Sequence, residues 1–131
     1  MHVIKLDAID STNVYLRKLI LEKNPTAPTV VMSQYQKKGK GQRGQVWTSQ
    51  AGKNLMFSLY MPNFSLPTKE VFSINKIVSI CLLHWLSSFQ MPNICVKWPN
   101  DILSGDSKIA GILTESNVHH LTASPFIIGV G

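Results

Sequence analysis

The chain has 131 residues, 44% of them hydrophobic and 15% charged, and its formal net charge is +6. This length can bury one hydrophobic core but not two, so we expect a single domain over residues 1–131. Hydrophobic residues recur throughout the chain, which excludes a disordered protein. The excess of positive charge indicates an anionic partner.

Targeting and membrane signals are not evident in the sequence. The first residues lack a basic segment followed by an apolar run, so we expect no secretory signal and a cytoplasmic protein. The most apolar stretch, Phe72 to Phe89, contains several polar residues, whereas a membrane span needs about 20 predominantly apolar ones. Cys81 and Cys95 lack the spacing of a metal or disulfide site, and we expect buried free thiols.

The first part of the chain predicts a strand, a helix, a second strand and a loop. His2 to Leu6 alternates as a strand, and Asp10 to Asn13 supplies N-cap side chains for a helix that Asn24-Pro25 ends. Thr29 to Ser33 is rich in β-branched residues, which favours a second strand. The glycines between Gly39 and Trp47 argue against regular structure in that segment.

The second part predicts one helix among several strands. Asn54 to Met61 alternates as a strand, and Lys69 to about Phe89 is apolar nearly all round, as in a long buried helix. Ile94 to Trp98 begins a hairpin series with turn residues at Ser104-Gly105-Asp106-Ser107, and Phe126 to Val130 is the last strand. We therefore expect an α+β fold with a mixed, largely antiparallel sheet backed by helices.

The loop Gly39-Lys40-Gly41-Gln42-Arg43-Gly44-Gln45-Val46-Trp47 combines glycines with cations. Glycines let backbone N–H groups approach an anion, and Lys or Arg neutralises its charge. The loop lacks the terminal Gly-Lys-Ser/Thr of a Walker loop and does not run into a helix, as a dinucleotide fingerprint must. Taken alone, it is equally consistent with a basic surface loop.

The segment Lys97-Trp98-Pro99-Asn100-Asp101 places a cation, an aromatic ring, an amide and a carboxylate at one strand end. Asn and Asp favour turns, so an ordinary surface hairpin is the alternative explanation. The predicted hairpin brings Lys108 back beside Lys97 and Asp101. This density of polar chemistry favours a functional site.

Five segments taken together resemble those of biotin–protein ligases. Gly39 to Trp47, Lys97 to Asp101 and Lys108-Ile-Ala-Gly-Ile-Leu-Thr-Glu115 are similar to the three hallmark segments of that family, in the same order and spacing. Ser11-Thr12-Asn13 and Gln36 match two further family positions. The resemblance covers nearly the whole chain and rests on five separate matches.

The resemblance implies a fold related to class II aminoacyl-tRNA synthetases and a ligase activity. Members of the family join biotin to ATP, release pyrophosphate and hold biotinyl-5′-AMP. They then pass biotin to a lysine of the biotin carboxyl carrier domain of a carboxylase. Magnesium accompanies the nucleotide, and we expect no metal ligands from the protein.

The chemistry of the two half-reactions suggests roles for particular residues. The biotin carboxylate must attack the α-phosphate, so neutralising charge matters most, and Arg43, Lys97 and Lys108 are the candidate cations. Transfer needs a neutral amine although free lysine has a pKa of about 10.4, so Asp101 is the candidate base and Glu115 the second choice. The residues expected to bind biotin or the adenylate are Ser11, Thr12, Asn13, Gln36, Gly39, Lys40, Gly41, Gln42, Gly44, Trp47, Asn100 and Gly111.

Two features depart from the family pattern. Lys40 stands where the family usually has Arg, and Lys offers a point charge in place of a planar fork. Gly129-Val130-Gly131 matches the start of a segment that normally continues through a nucleotide-binding Asn. We therefore expect an incomplete catalytic domain that is poorly active alone. The family's C-terminal β-barrel and the winged helix of some members are not found, so we expect no DNA binding.

Two other functions stay open at this point. A nucleic-acid-binding module would explain the positive charge, although aromatic residues interleaved with the cations are missing. A lipoate or octanoyl transferase shares the fold, but the Gly39–Trp47 and Lys97–Asp101 segments favour biotin. An unpaired sheet edge would permit a homodimer.

Overall fold

The computed structural model describes residues 1–131 and contains ten strands and two α-helices. The two ends of the first helix follow from the sequence, because Ser11 precedes it in an extended conformation and Asn24 ends it in a left-handed one. In chain order the elements are β1 (His2–Ile9), α1 (Thr12–Lys23), β2 (Thr29–Gln36), β3 (Gly39–Lys40), β4 (Val46–Trp47), β5 (Met56–Met61), β6 (Leu66–Pro67), α2 (Phe72–Ser87), β7 (Ile94–Lys97), β8 (Asp101–Ser104), β9 (Ser107–His119) and β10 (Thr122–Val130).

Eight strands form the main sheet, in the order β1-β2-β5-β10-β9-β8-β7, with β6 paired to part of β10. Only β1 and β2 run parallel, and the other pairs are antiparallel. The expected mixed, largely antiparallel sheet is therefore confirmed. The last strand, β10, lies inside the sheet between β5 and β9, so the free edges belong to β1 and β7.

The segment from Gly39 to Trp47 forms a small ribbon of its own, in which β3 pairs with β4. The expectation of an irregular loop was wrong for its two ends. Gly39 makes the pairing possible, because a Cβ atom there would lie 2.6 Å from the carbonyl oxygen of Trp47. The turn between the strands contains Arg43 and Gly44 at positive φ, 52° and 79°.

The two helices cover opposite faces of the sheet. Neighbouring residues of a strand point to opposite sides of the sheet, and two neighbours in β10 contact different helices. On the α1 face, Ile127 packs against buried Leu16, Val31 and Tyr60. Ile128, the next residue, belongs to the cluster on the α2 face. That cluster contains Ile74, Ile112, Ala123, Phe126 and Ile128.

The helix α2 covers the sheet as expected, but it buries only one of its sides, so the expectation of a fully buried helix was wrong. Its residues against the sheet include Ile74, Asn75 and Ser79, whereas Ile80 on the outer side is 64% exposed. The predicted burial of both cysteines was wrong too. Cys81 lies on the exposed side of α2 and Cys95 on the edge strand β7. Neither helix combines the length and apolarity that crossing a membrane requires.

Candidate active site

A cavity of about 610 Å³ opens on the α1 face, where the start of α1 meets the β3–β4 ribbon and the centre of the sheet. Residues from seven separate parts of the chain form its wall. The fold thus brings together most of the residues that the sequence singled out. Those in the wall are Ser11, Thr12, Asn13, Gln36, Lys40, Gly41, Gln42, Arg43, Trp47, Asn100, Asp101, Lys108 and Gly111.

Three predicted site residues lie outside this wall. Lys97 is exposed at the end of the edge strand β7 and does not line the cavity, so its role as a phosphate-binding cation stays a prediction. Gly39 is buried beneath Trp47 and Gln36, and Gly44 provides a positive φ in the ribbon turn. Both glycines shape the ribbon instead of contacting the cavity.

Neutral polar side chains form one side of the site, which we call the floor: Thr12, Asn13, Gln36 and Ser58. All four residues are at most 9% exposed. The backbone N–H of Thr12 donates to Gln36 Oε1 at 2.8 Å, and Thr12 Oγ1 lies 3.1 Å from the same oxygen. Ser58 Oγ lies 2.7 Å from Thr12 Oγ1 and also contacts Asn13 Oδ1. The floor is therefore a continuous hydrogen-bonded network.

Glu115 extends this network to the surface. Asn13 Nδ2 donates to Glu115 Oε2 at 2.9 Å, and Arg17 forms an ion pair with the other carboxylate oxygen. Glu115 itself is not part of the cavity wall. Its place as second-choice base stays a prediction, and its carboxylate already engages two donors, Asn13 and Arg17.

Charged side chains form the opposite side, which we call the rim: Lys40, Arg43, Asp101 and Lys108. Lys108 Nζ lies 2.8 Å from Asp101 Oδ1 and 4.8 Å from the centre of the Trp47 ring. Both Lys108 and Asp101 remain partly exposed. A cation held by one carboxylate and one aromatic face is positioned in the cavity but still accessible to an anion.

Trp47 lies flat over two glycines at the centre of the site. A Cβ atom on Gly111 or on Gly131 would come within 2.9 Å of the indole ring. These two glycines are joined by a pair of backbone hydrogen bonds of 2.8 and 3.2 Å. Only glycine permits this close approach, so the glycines determine where the indole, and through it Lys108, can lie.

Asn100 connects the turn before β8 to the sheet. Its side-chain Nδ2 donates to the carbonyl oxygen of Ile112 at 2.9 Å, and its own carbonyl accepts from the N–H of Ile112 at 2.8 Å. The amide nitrogen is thus committed to holding the neighbouring Asp101 in the wall. The side-chain oxygen of Asn100 and the second N–H of its amide are left for a ligand.

The wall contains a single carboxylate, Asp101, and Lys108 already engages it. No group of three or more His, Cys, Asp or Glu residues is arranged to hold a metal ion. Magnesium is usually held by one or two carboxylates together with substrate phosphates and water. Within the wall, Asp101 is the carboxylate of this kind.

Several wall and floor residues escaped the sequence analysis. Ser58 is the most important, because it joins Thr12 to Asn13 while being fully buried. A polar residue between Met56 and Tyr60 on the inward face of a strand was a usable signal. Gly129 and Gly131 also line the cavity, and a Cβ on Gly129 would collide with the Asn13 amide.

Comparison with known proteins supplies independent information. The model of the biotin/lipoate A/B protein ligase family matches residues 6–131. The chain is 34% identical over 130 residues to the bifunctional ligase/repressor BirA of Salmonella typhimurium. That match covers 99% of this chain and 40% of the relative, so the chain spans well under half of the relative's length.

Two solved structures show the same architecture. The biotin protein ligase of Aquifex aeolicus in complex with biotin and ATP is 27% identical, with a TM-score of 0.71, over 98% of this chain and 50% of that one. The biotin acetyl coenzyme A carboxylase synthetase of Helicobacter pylori with bound biotinylated ATP is also 27% identical, with a TM-score of 0.70, over 98% and 59%. The expected class II synthetase-like fold is thereby confirmed.

Proposed function

Because this chain belongs to the biotin/lipoate A/B protein ligase family, we propose that it forms biotinyl-5′-AMP from biotin and ATP and transfers the biotin to a lysine of a biotin carboxyl carrier domain. The observation that carries the proposal is the division of one cavity into a neutral floor and a charged rim. Biotin has the same division, with an uncharged ureido ring at one end and a carboxylate at the other.

The floor supports recognition of the ureido ring. Thr12 Oγ1 and Gln36 Oε1 offer acceptors for its N–H groups. The Gln36 amide nitrogen offers a donor, because the backbone N–H of Thr12 fixes which end of that amide is the oxygen. Ser11 adds a hydroxyl in the wall that makes no capping bond to its own helix. A few fixed polar groups in a concave site are typical of small-molecule binding.

The rim supports the first half-reaction. A carboxylate oxygen of biotin attacks the α-phosphorus of ATP, the bond from that phosphorus to the oxygen that bridges to the β-phosphate breaks, and pyrophosphate leaves. Lys108 and Arg43 neutralise the negative charge that gathers as the two anions meet, which is the main barrier. Lys40 adds a third positive charge at the mouth.

Asp101 supports the second half-reaction. The carrier lysine must lose a proton before its nitrogen attacks the biotinyl carbonyl carbon and AMP leaves with the phosphate oxygen. Asp101 is the carboxylate in the wall and can accept that proton. Its ion pair with Lys108 means that one side chain both orients the phosphate-binding cation and receives the proton.

The lipoate alternative fits the floor less well. The dithiolane ring of lipoate has neither N–H nor C=O groups, so it would leave the polar atoms of the floor without partners. Buried polar groups left unpaired cost about 1–3 kcal/mol each. The nucleic-acid alternative is also weaker, because Lys40 and Arg43 border a concave cavity of about 610 Å³, a volume that suits a small ligand. The repressor activity named for the relative is not carried over, and cytoplasmic location and a homodimer stay predictions.

Titration calorimetry with biotin, lipoate and MgATP on the 131-residue chain tests this proposal. We expect biotin to bind and lipoate not to bind. Mass spectrometry under single-turnover conditions, with the chain in excess, then tests for biotinyl-5′-AMP and for a biotinylated carrier domain. Binding of lipoate in preference to biotin, or release of pyrophosphate only with lipoate, would overturn the proposal.

A further inference from the structure

We propose that Glu115 is a positioning residue that sets the direction of the side-chain hydrogen bonds running from Asn13 through Ser58 to Thr12, and thereby keeps a pair of acceptor oxygens open for an N–H group of the ligand. Its two contacts, with Asn13 and with Arg17, link the buried network to an ion pair at the surface. The identity of the ligand as a cyclic urea rests on the proposed function, whereas the direction of the network does not.

The direction follows from which groups can donate. A carboxylate only accepts, so Asn13 must turn its Nδ2 toward Glu115 and its Oδ1 toward Ser58. An amide oxygen also only accepts, so the single proton of Ser58 must point to Asn13. Ser58 Oγ lies 2.7 Å from Thr12 Oγ1, and this contact is favourable only if Thr12 supplies the proton.

This order has a consequence at the ligand-facing end of the network. The Thr12 hydroxyl donates its proton to Ser58 Oγ, and Gln36 Oε1 already accepts from the backbone N–H of Thr12. Thr12 Oγ1 and Gln36 Oε1 therefore lie 3.1 Å apart without a proton between them. Two acceptors at this distance repel unless a donor enters, so the floor is prepared for an incoming N–H group.

Arg17 determines what happens when the carboxylate is replaced. In a Glu115→Gln variant, Arg17 is a donor and holds the new amide oxygen, so the amide nitrogen faces Asn13. Asn13 must then turn over and donate to Ser58. The proton of Ser58 moves toward Thr12, and Thr12 donates to Gln36 Oε1. The proton of Thr12 then lies between Thr12 Oγ1 and Gln36 Oε1, and the pair of acceptors is no longer free for the ligand.

Nuclear magnetic resonance of the 15N-labelled chain tests the direction without any ligand. The Asn13 side-chain amide, assigned through its own carbon atoms, should show a proton shifted downfield by the carboxylate. That shift should disappear in Glu115→Gln and remain in Glu115→Asp, which keeps an acceptor. Glu22→Gln is the matched control. It also removes one carboxylate from an ion pair of helix α1, the pair of Glu22 with Lys18. An Asn13 resonance that is unchanged by Glu115→Gln would overturn the proposal.

Calorimetric titration with biotin on the same samples tests the consequence. We expect Glu115→Gln to weaken binding about fivefold to tenfold, as for the loss of one hydrogen bond, with recovery in Glu115→Asp. Ser58→Ala interrupts the network at its centre and should cause a similar loss, and the double variant should lose no more than either single one. Binding within twofold of the parent in a folded Glu115→Gln chain whose Asn13 resonance has moved would overturn the positioning role. A parent that shows the shifted Asn13 proton but binds no biotin supports the network and refutes the proposed function.

Discussion

The floor and the rim of the cavity are built on different physical terms. Floor residues are buried, uncharged and bonded to one another, as Thr12 and Ser58 show with 4% and 0% exposure. Rim residues are charged and partly open to solvent, as Lys108 and Asp101 show with 42% and 23% side-chain exposure. Folding therefore fixes the shape-selective side of the site, while the charged side retains freedom to adjust to a ligand.

This contrast predicts where substitutions act. A buried polar group without its partner costs about 1–3 kcal/mol, so changes in the floor should alter stability and binding together. Exposed ion pairs contribute about 0–1 kcal/mol to stability, so changes in the rim should leave the fold intact. Substitutions in the rim should therefore affect catalysis with little change in the melting temperature.

The largest effect is expected from Lys108→Ala. Losing a cation at the reacting phosphate should slow formation of biotinyl-5′-AMP about 10²- to 10³-fold, the loss seen when a charge-stabilising donor is removed. Single-turnover pyrophosphate release measures it. Lys69→Ala is the control, because Lys69 is an exposed lysine outside the cavity wall. Near-normal release by Lys108→Ala, or an equal loss in Lys69→Ala, would contradict the assignment.

The next effect is expected from Asp101→Asn. The amide keeps the shape of the side chain but cannot accept a proton, so transfer from preformed biotinyl-5′-AMP to the carrier should slow about 10²-fold. Circular dichroism should show an unchanged fold. Asp106→Asn changes an exposed carboxylate in the β8–β9 turn and should transfer at the parent rate. Equal transfer rates for Asp101→Asn and the parent would exclude Asp101 as the base.

A smaller effect is expected from Gly111→Ala. The new Cβ would lie 2.9 Å from Trp47 and 3.2 Å from the Cε of Lys108, so the indole and the lysine must both shift. We expect about tenfold weaker nucleotide binding, equivalent to about 1.4 kcal/mol, and a change in tryptophan emission. Gly131→Ala should act in the same way through its own contact with Trp47. Unchanged emission in both variants would show that the indole is not held by these glycines.

The sequence predicted the rim and the floor to different extents. Short local motifs identified Thr12, Lys108 and Asp101, because their neighbours in sequence are also their neighbours in the site. The cavity wall contains Asp101 but not Lys97, although the two residues pair in the hairpin, because a register does not say which side chain borders the cavity. The relay through Ser58 was missed, because it joins residues 45 positions apart in the chain.

The fold shows the same division between local and distant information. Periodicity placed the cores of the strands and of α1 correctly, since these depend on neighbouring residues. The exposure of α2 could not be read from its composition, because a helix that is apolar all round gives no indication of which side lacks a partner. The β3–β4 ribbon was missed for a related reason, as its pairing depends on the close approach of Gly39 to Trp47.

The smallest effect concerns Tyr60, which lies two residues from Ser58 on the buried side of β5. Burial raises the pKa of the Tyr60 phenol above its usual value of about 10, because the ionised form would lose its hydration. A group whose pKa is higher in the folded state stabilises the fold fully below the unfolded value, and this contribution is lost as pH rises through the folded value. The free energy of unfolding should therefore decline above about pH 10, with a shallower decline in Tyr60→Phe.

Urea unfolding of both chains between neutral and alkaline pH measures the difference. A parent and a Tyr60→Phe chain with the same alkaline slope would show that this phenol is not the group responsible.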